Sequence, residues 1–139
     1  MIQKRSGRRE SGSVSRAPQP IELPRPAPKP SRSLARALQL RRTTREISDK
    51  KLPLQTLSYL LWAACGVNRK KGPFGIPGRT AASASNSQEI DVYVALQEGT
   101  YLYEPFHHRL VPAVAGDLRR LAIGRGQTDA SAGAPVRLI

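Results

Sequence analysis

Cysteine, aromatic and acidic residues are scarce in this 139-residue chain, and it has no long apolar run. The single cysteine, Cys65, rules out an intramolecular disulfide and suits a reducing compartment, so the sequence reads as cytoplasmic. Nothing approaches the roughly eighteen consecutive apolar residues that a membrane-spanning helix requires. Arg8-Arg9 could open a twin-arginine export signal, but Glu10-Ser11-Gly12 stands where an apolar stretch should follow. The histidines, His107 and His108, are adjacent. In a strand they would point to opposite faces, which suits neither a shared metal nor a relay, so a surface or turn role is expected. Ser83, Ser85 and Ser87 lack the surroundings of a nucleophile elbow, and no Cys and His cluster has metal-ligand spacing.

The shortage of acidic residues leaves a net charge of +13, which invites a nucleic-acid reading. Its distribution argues otherwise. Residues 1–45 hold twelve Lys or Arg against two Glu, whereas residues 46–139 hold eleven against eight Asp or Glu. The basicity therefore belongs mainly to the leading segment. No aromatic stacking platform interleaves its arginines, so a solvated tail is preferred to a nucleic-acid binder. Residues 1–33 also hold six of the twelve prolines and only five of Val, Ile, Leu, Met and Phe combined. Such a segment cannot bury enough apolar surface to offset its ordering entropy. We expect a basic, Pro/Ser-rich disordered leader over residues 1–30, with a polyproline-like run at 17–30, and one domain over residues 31–139.

Ser31 or Ser33 can cap a helix in which Leu34, Ala35 and Leu38 share a face. A second helix is predicted from Pro53 to Ala64, with Gly66 as its stop and an apolar stripe of Leu54, Leu57, Leu60, Leu61 and Ala64 widened by Trp62. Cys65 reads as a small buried residue. Residues 66–79 read as a loop. Gly72, Gly75 and Gly78 lack the preceding strand and following Lys-Ser or Lys-Thr pair of a phosphate-cradling loop. Ile90 to Gln97 alternates as a strand, Glu98-Gly99 turns, and Thr100 to Tyr103 returns. His108 to Val111 is expected as a third strand, Asp117 as the cap of a helix over Leu118–Gly124, and 134–139 as a strand that has only begun.

Two polar segments remain. Arg41-Arg42-Thr43-Thr44-Arg45 packs three guanidinium groups and two hydroxyls into five residues, a set that suits phosphate oxygens. Ser83-Ala84-Ser85-Asn86-Ser87-Gln88 is small and amide-bearing, which suits a polyol chain and a heteroaromatic rim. By composition either could equally be an ordinary turn.

With Leu60 to Arg69 (LLWAACGVNR), Arg79 to Val94 (RTAASASNSQEIDVYV), Gly99-Thr100-Tyr101-Leu102-Tyr103 and His108-Arg109-Leu110, these segments occur in an order that resembles the nitroreductase family, over roughly residues 21–139. The resemblance implies an α+β fold, a nitroreductase-like mixed sheet flanked by helices and incomplete at the C-terminus. It also implies a homodimer with FMN at the subunit interface. By match, Arg41, Arg42, Thr43 and Arg45 would hold the FMN phosphate. Ser83, Ala84, Asn86 and Gln88 would lie along the flavin and its ribityl chain. The implied activity moves electrons from NAD(P)H through the flavin to a nitro compound, quinone or similar small-molecule acceptor. Ala82 stands where the family usually has proline. Because the sequence resembles only part of the family fold, a catalytically inactive remnant or an interaction module needing a complementary chain is the competing expectation.

Overall fold

The computed structural model describes residues 17–27, 33–44, 46–121 and 133–139. Its strongest local element is an α-helix, Leu54–Cys65, within a residue of the predicted span. It begins after Pro53 and ends at Gly66, whose N–H donates to Trp62 O at 2.8 Å. Gly66 is required for space, since a Cβ there would lie 2.6 Å from Trp62 Cα and 2.7 Å from its carbonyl oxygen. The buried face is Leu57, Ser58, Leu61 and Cys65. The expected stripe is therefore rotated: Leu54, Leu60 and Ala64 are exposed, because the line i, i+4, i+8 through 57, 61 and 65 meets the sheet. An earlier short helix, Leu34–Leu40, is capped by Ser33 Oγ, which accepts from Arg36 N–H at 3.2 Å. We label these helices α1 (Leu34–Leu40) and α2 (Leu54–Cys65).

The strands are β1 Ile21–Glu22, β2 Val67–Arg69, β3 Gly78–Arg79, β4 Tyr93–Ala95, β5 Gly99–Glu104, β6 Arg109–Ala115 and β7 Arg137–Leu138. Five form one sheet in the order β1-β6-β5-β4-β7, and every pairing in it is antiparallel. The α+β expectation holds. The third strand runs on to Ala115, and Pro112 is accommodated at an irregularity in its register with β5, where a missing N–H does not break the ladder. Residues 66–79, read from sequence as a plain loop, contain the separate β2–β3 ribbon, in which Val67 pairs with Arg79 and Arg69 with Gly78. So short a ribbon carries no apolar alternation to reveal it. The predicted helix after Asp117 is replaced, within the described residues, by a turn in which Leu121 N–H donates to Leu118 O at 3.0 Å. Asp117 instead accepts from the backbone N–H and guanidinium of Arg119, which pulls its carboxyl pKa down to about 2. Residues 122–124 lie outside the described residues.

α2 lies on the sheet. Leu57, Leu61 and Cys65 join Leu23, Val94, Tyr101, Tyr103 and Leu110 in the core. Residues 21–23 fall inside the stretch read as leader, yet Ile21 and Glu22 pair with Leu110 and Arg109, and Leu23 is buried. Alternation of Ile21 and Leu23 about Glu22 supplies the apolar face that the surrounding prolines lack. At the opposite edge Ile139 exchanges backbone hydrogen bonds with Tyr93 at 2.9 and 3.0 Å.

Candidate functional site

The segment from 72 to 88 concentrates unusual backbone. Phe74, Ser85, Asn86 and Gln88 all have positive φ, between 51° and 59°. Such conformations cost about 1–3 kcal/mol each in non-glycine residues and persist where the surroundings over-determine them. Here the determinants are explicit. The Gln88 side-chain amide donates to Pro77 O at 2.6 Å and to Asn86 Oδ1 at 2.9 Å, and the Asn86 amide donates to Ile76 O at 3.3 Å. Gln88 N–H donates to Ser83 Oγ, and Ser87 Oγ to Ala84 O at 2.7 Å. The two amides expected to face a ligand thus tie a 3-10 turn, Ala84–Asn86, to residues 76–77. Their donors shape the site from within.

Two adjoining cavities open beside this turn. One, about 370 Å³, is lined by Arg69, Phe74, Arg79, Ala81–Ser83, Ser85 and Asn86. The other, about 150 Å³, shares Arg79 and Ala81–Ser83 and reaches Gln88 and the C-terminal end of α2 at Ala64 and Cys65. Ser83, Asn86 and Gln88 are therefore brought together, with Ala84 in the turn between them. Arg69 and Arg79 are site residues that sequence reasoning left without a role, although both lie in the family-like motifs. No local signal joins them, because Arg69 meets Gly78 only through the pairing of β2 with β3. Among the described residues neither belongs to an ion pair. The ion pairs there are Glu104 with His107 and Arg109, and Asp117 with Arg119. Burial pushes the Cys65 thiol pKa up, partly opposed by the Arg79 guanidinium, so Cys65 remains a protonated packing residue.

Arg41, Arg42 and Thr43 lie at and just beyond the C-terminal end of α1 and are exposed. They line neither of the cavities beside the 83–88 turn. Arg45 lies outside the described residues. Among the described residues, then, the 41–44 segment contributes nothing to the two cavities beside the 83–88 turn. α1 itself buries nothing among the described residues, and Leu34 and Leu38 are 75% and 62% exposed.

His107 and His108 separate as expected, but His108 is more than a turn residue. His107 sits against Glu104 Oε1 at 2.6 Å on the surface. His108, at φ 54°, turns its ring inward. Its Nε2 lies 2.8 Å from Ser58 Oγ and its Nδ1 2.8 Å from the Tyr103 hydroxyl. Ser58 donates its only proton to Pro24 O at 2.6 Å. It follows that Nε2 carries the imidazole proton and donates to Ser58, leaving Nδ1 to accept from Tyr103. Burial lowers the His108 pKa and raises that of Tyr103, which keeps both neutral. Ser58 is fully buried with its proton committed, so the trio ties the Leu23–Pro24 segment to α2 and β5 and does not constitute a nucleophile. A larger cavity, about 530 Å³, lies against Trp62, Phe106 and His108 and shares only Arg69 with the 83–86 site. Among the described residues no three His, Cys, Asp or Glu could hold a metal, and no helix is long and apolar enough to cross a membrane.

A two-layer α+β arrangement with a strained polar turn beside paired cations is the frame into which the comparisons fit. Residues 38–138 match the family model for nitroreductases, and the chain belongs to that family. A protein of Methanocaldococcus jannaschii named as a nitroreductase, MJ1384, is 34% identical over 77 residues, covering 51% of this chain and 36% of its own. A crystal structure of a nitroreductase-like protein from Ralstonia eutropha JMP134 superposes with a TM-score of 0.73 at 41% identity, covering 97% of this chain and 60% of that one. The chain thus spans less than two thirds of the length of either relative.

Proposed function

We propose that this chain carries part of an FMN-dependent oxidoreductase of nitroreductase type, moving electrons from NAD(P)H through the flavin to nitro, quinone or similar acceptors. The observation that carries the reading is the 83–88 turn, held in a strained conformation by its own side chains. It faces a cavity with two guanidinium groups that have no ionic partner among the described residues. The family is generally flavin-dependent, and the residues fit the cofactor chemically. Serine hydroxyls at 83 and 85 and small side chains at 81, 82 and 84 leave room for a planar heteroaromatic group. Arg41, Arg42, Thr43 and Arg45 would hold its phosphate, and Ser83, Ala84, Asn86 and Gln88 would border the flavin and ribityl chain. When bound, the flavin supplies the hydride chemistry, and the side chains bind, orient and exclude water. A homodimer would bring the 41–45 segment of one chain to the 83–88 turn of another, giving the exposed α1 leucines a partner.

That residues 41–44 line neither cavity beside that turn favours a second reading, an inactive or scaffolding piece that needs a complementary chain. A fluorescence titration with FMN separates the two. Saturable quenching by this chain alone, weakened about tenfold by Arg41→Ala or Arg42→Ala, supports the flavoprotein. Unquenched flavin at high protein concentration supports the scaffold.

A further inference from the structure

One face of α2 is turned to the proline-rich segment that precedes α1. Gln55, Ser58, Tyr59 and Trp62 recur at i, i+3, i+4 and i+7, so they form a single stripe, next to the stripe that rests on the sheet. Three of the four donate to main-chain carbonyls of one run of residues. Ser58 Oγ donates to Pro24 O at 2.6 Å, Gln55 Nε2 to Arg25 O at 3.3 Å and the Tyr59 hydroxyl to Ala27 O at 3.1 Å. The fourth, Trp62, lines the cavity of about 530 Å³ together with Pro26, Pro105 and Phe106.

The run has the chemistry that such a stripe reads. Pro24 and Pro26 fix their own φ and push Leu23 and Arg25 toward extended backbone, which favours a left-handed polyproline helix. Prolines have no N–H, so carbonyl oxygens are the polar groups that the run mainly offers. Grooves that recognise such segments set aromatic rings against the prolines. Here the prolines are half-buried, whereas Arg25 and Ala27 are exposed. The hold on this strap, residues 21–27, is slight. Two residues pair in β1, Leu23 is buried, and its N–H donates to His108 O at 3.3 Å. Among the described residues no backbone-to-backbone hydrogen bond involves 24–27. A segment held in this way leaves the surface at less cost than unfolding the sheet beneath it.

We propose that this face of α2, with the socket of Leu23, is a docking groove for proline-rich segments, and that residues 21–27 fill it in cis. Its partner is a Leu-Pro-x-Pro segment of another protein, which displaces the strap. Prolines stiffen strap and partner alike, so what they contribute in cis has to be overcome in trans. The groove uses none of the residues at 83–88, and the inference stands apart from the flavoprotein reading.

The test is fluorescence anisotropy of a labelled peptide, Ile-Glu-Leu-Pro-Arg-Pro-Ala, which copies residues 21–27, titrated with the full chain. The double substitution Pro24→Ala/Pro26→Ala loosens the strap and leaves every core side chain in place. We expect this variant to bind the peptide roughly tenfold more tightly than the wild-type chain does. A peptide with alanine at both proline positions should bind the same variant roughly tenfold more weakly. In that variant Gln55→Ala and Tyr59→Phe should each weaken the proline peptide severalfold. Leu60→Ala, on the opposite side of α2, should change nothing. The proposal is overturned by a variant that fails to bind at roughly millimolar concentration, by equal affinity for the two peptides, or by indifference to both Gln55→Ala and Tyr59→Phe. Equal binding by wild type and the alanine variant overturns it too, since the peptide would then lie where the strap does not. A wild-type dimer that the alanine variant loses in sedimentation would give the groove to a second copy and overturn the choice of partner.

Discussion

Replacing His108 tests whether the Pro24–Ser58–His108–Tyr103 chain of hydrogen bonds holds the N-terminal strand to the core. Asn is the informative substitute, since it tolerates the left-handed backbone at φ 54° but is too short to bridge Ser58 and Tyr103. Two hydrogen bonds of 2.8 Å disappear. Ser58 keeps Pro24 O, whereas the Tyr103 hydroxyl, in a residue 2% exposed, is left without its partner. One lost bond at about 0.5–1.5 kcal/mol and one stranded hydroxyl at about 1–3 kcal/mol give a total of about 1.5–4.5 kcal/mol. The pH dependence distinguishes this from a packing defect. Burial holds the folded His108 pKa below its ordinary 6.5, and no charged group is among its partners Ser58 and Tyr103. The unfolded chain therefore binds the proton more readily. The stabilisation is complete above 6.5 and is lost as pH falls from 6.5 toward the folded pKa, at no more than about 1.4 kcal/mol per pH unit. Glu104 and Asp117, whose pKa values are also lowered, begin to lose stability only below their ordinary values of 4.5 and 3.8. Urea unfolding followed by Trp62 fluorescence should show the gap between wild type and His108→Asn narrowing as pH drops from about 7.5 to 5. A gap that is constant with pH, or smaller than about 0.5 kcal/mol throughout, refutes the reasoning.

Three other outcomes follow from the packing. Leu61→Ala, at a fully buried position facing the sheet, should cost about 2–5 kcal/mol in the same urea assay. Gly78→Ala meets only the movable end of the exposed Arg69 side chain, so stability should change by less than about 1 kcal/mol in the same assay. Cys65, buried and with its thiol pKa raised, should react with iodoacetamide far more slowly in the native chain than in urea, and equal rates would mean that α2 does not rest on the sheet.

Local signals served α2 and the β4–β5–β6 meander well. Pro53 and Gly66 bracket the helix, and the alternation around Val94 and the Glu98-Gly99 turn mark the hairpin, because each reports backbone geometry within a few residues. The rotation of the α2 stripe was not legible. Leu54 and Leu60 are as apolar as Leu57 and Leu61, and only the sheet decides which pair it covers. β1 was hidden by the prolines around Ile21 and Leu23, and its existence depends on pairing with residues some ninety positions away. In the site, Ser83, Asn86 and Gln88 were found by resemblance, but the commitment of their amides to residues 76 and 77 arises from positive-φ backbone that no spacing reveals. Arg69 and Arg79 escaped notice because the ribbon that sets them side by side is too short to have a period. His108 sits in a turn as expected, but its inward ring was not legible, because its partner Ser58 lies fifty positions away in the chain.

The most direct test of the flavoprotein account is sedimentation velocity of the full chain with FMN, detected both in the protein band and in the flavin's visible band. The account predicts that flavin colour and protein travel together as a two-chain species, and that Arg42→Ala leaves the flavin behind. Colour that stays with the free small molecule while the protein sediments as a single chain would contradict it.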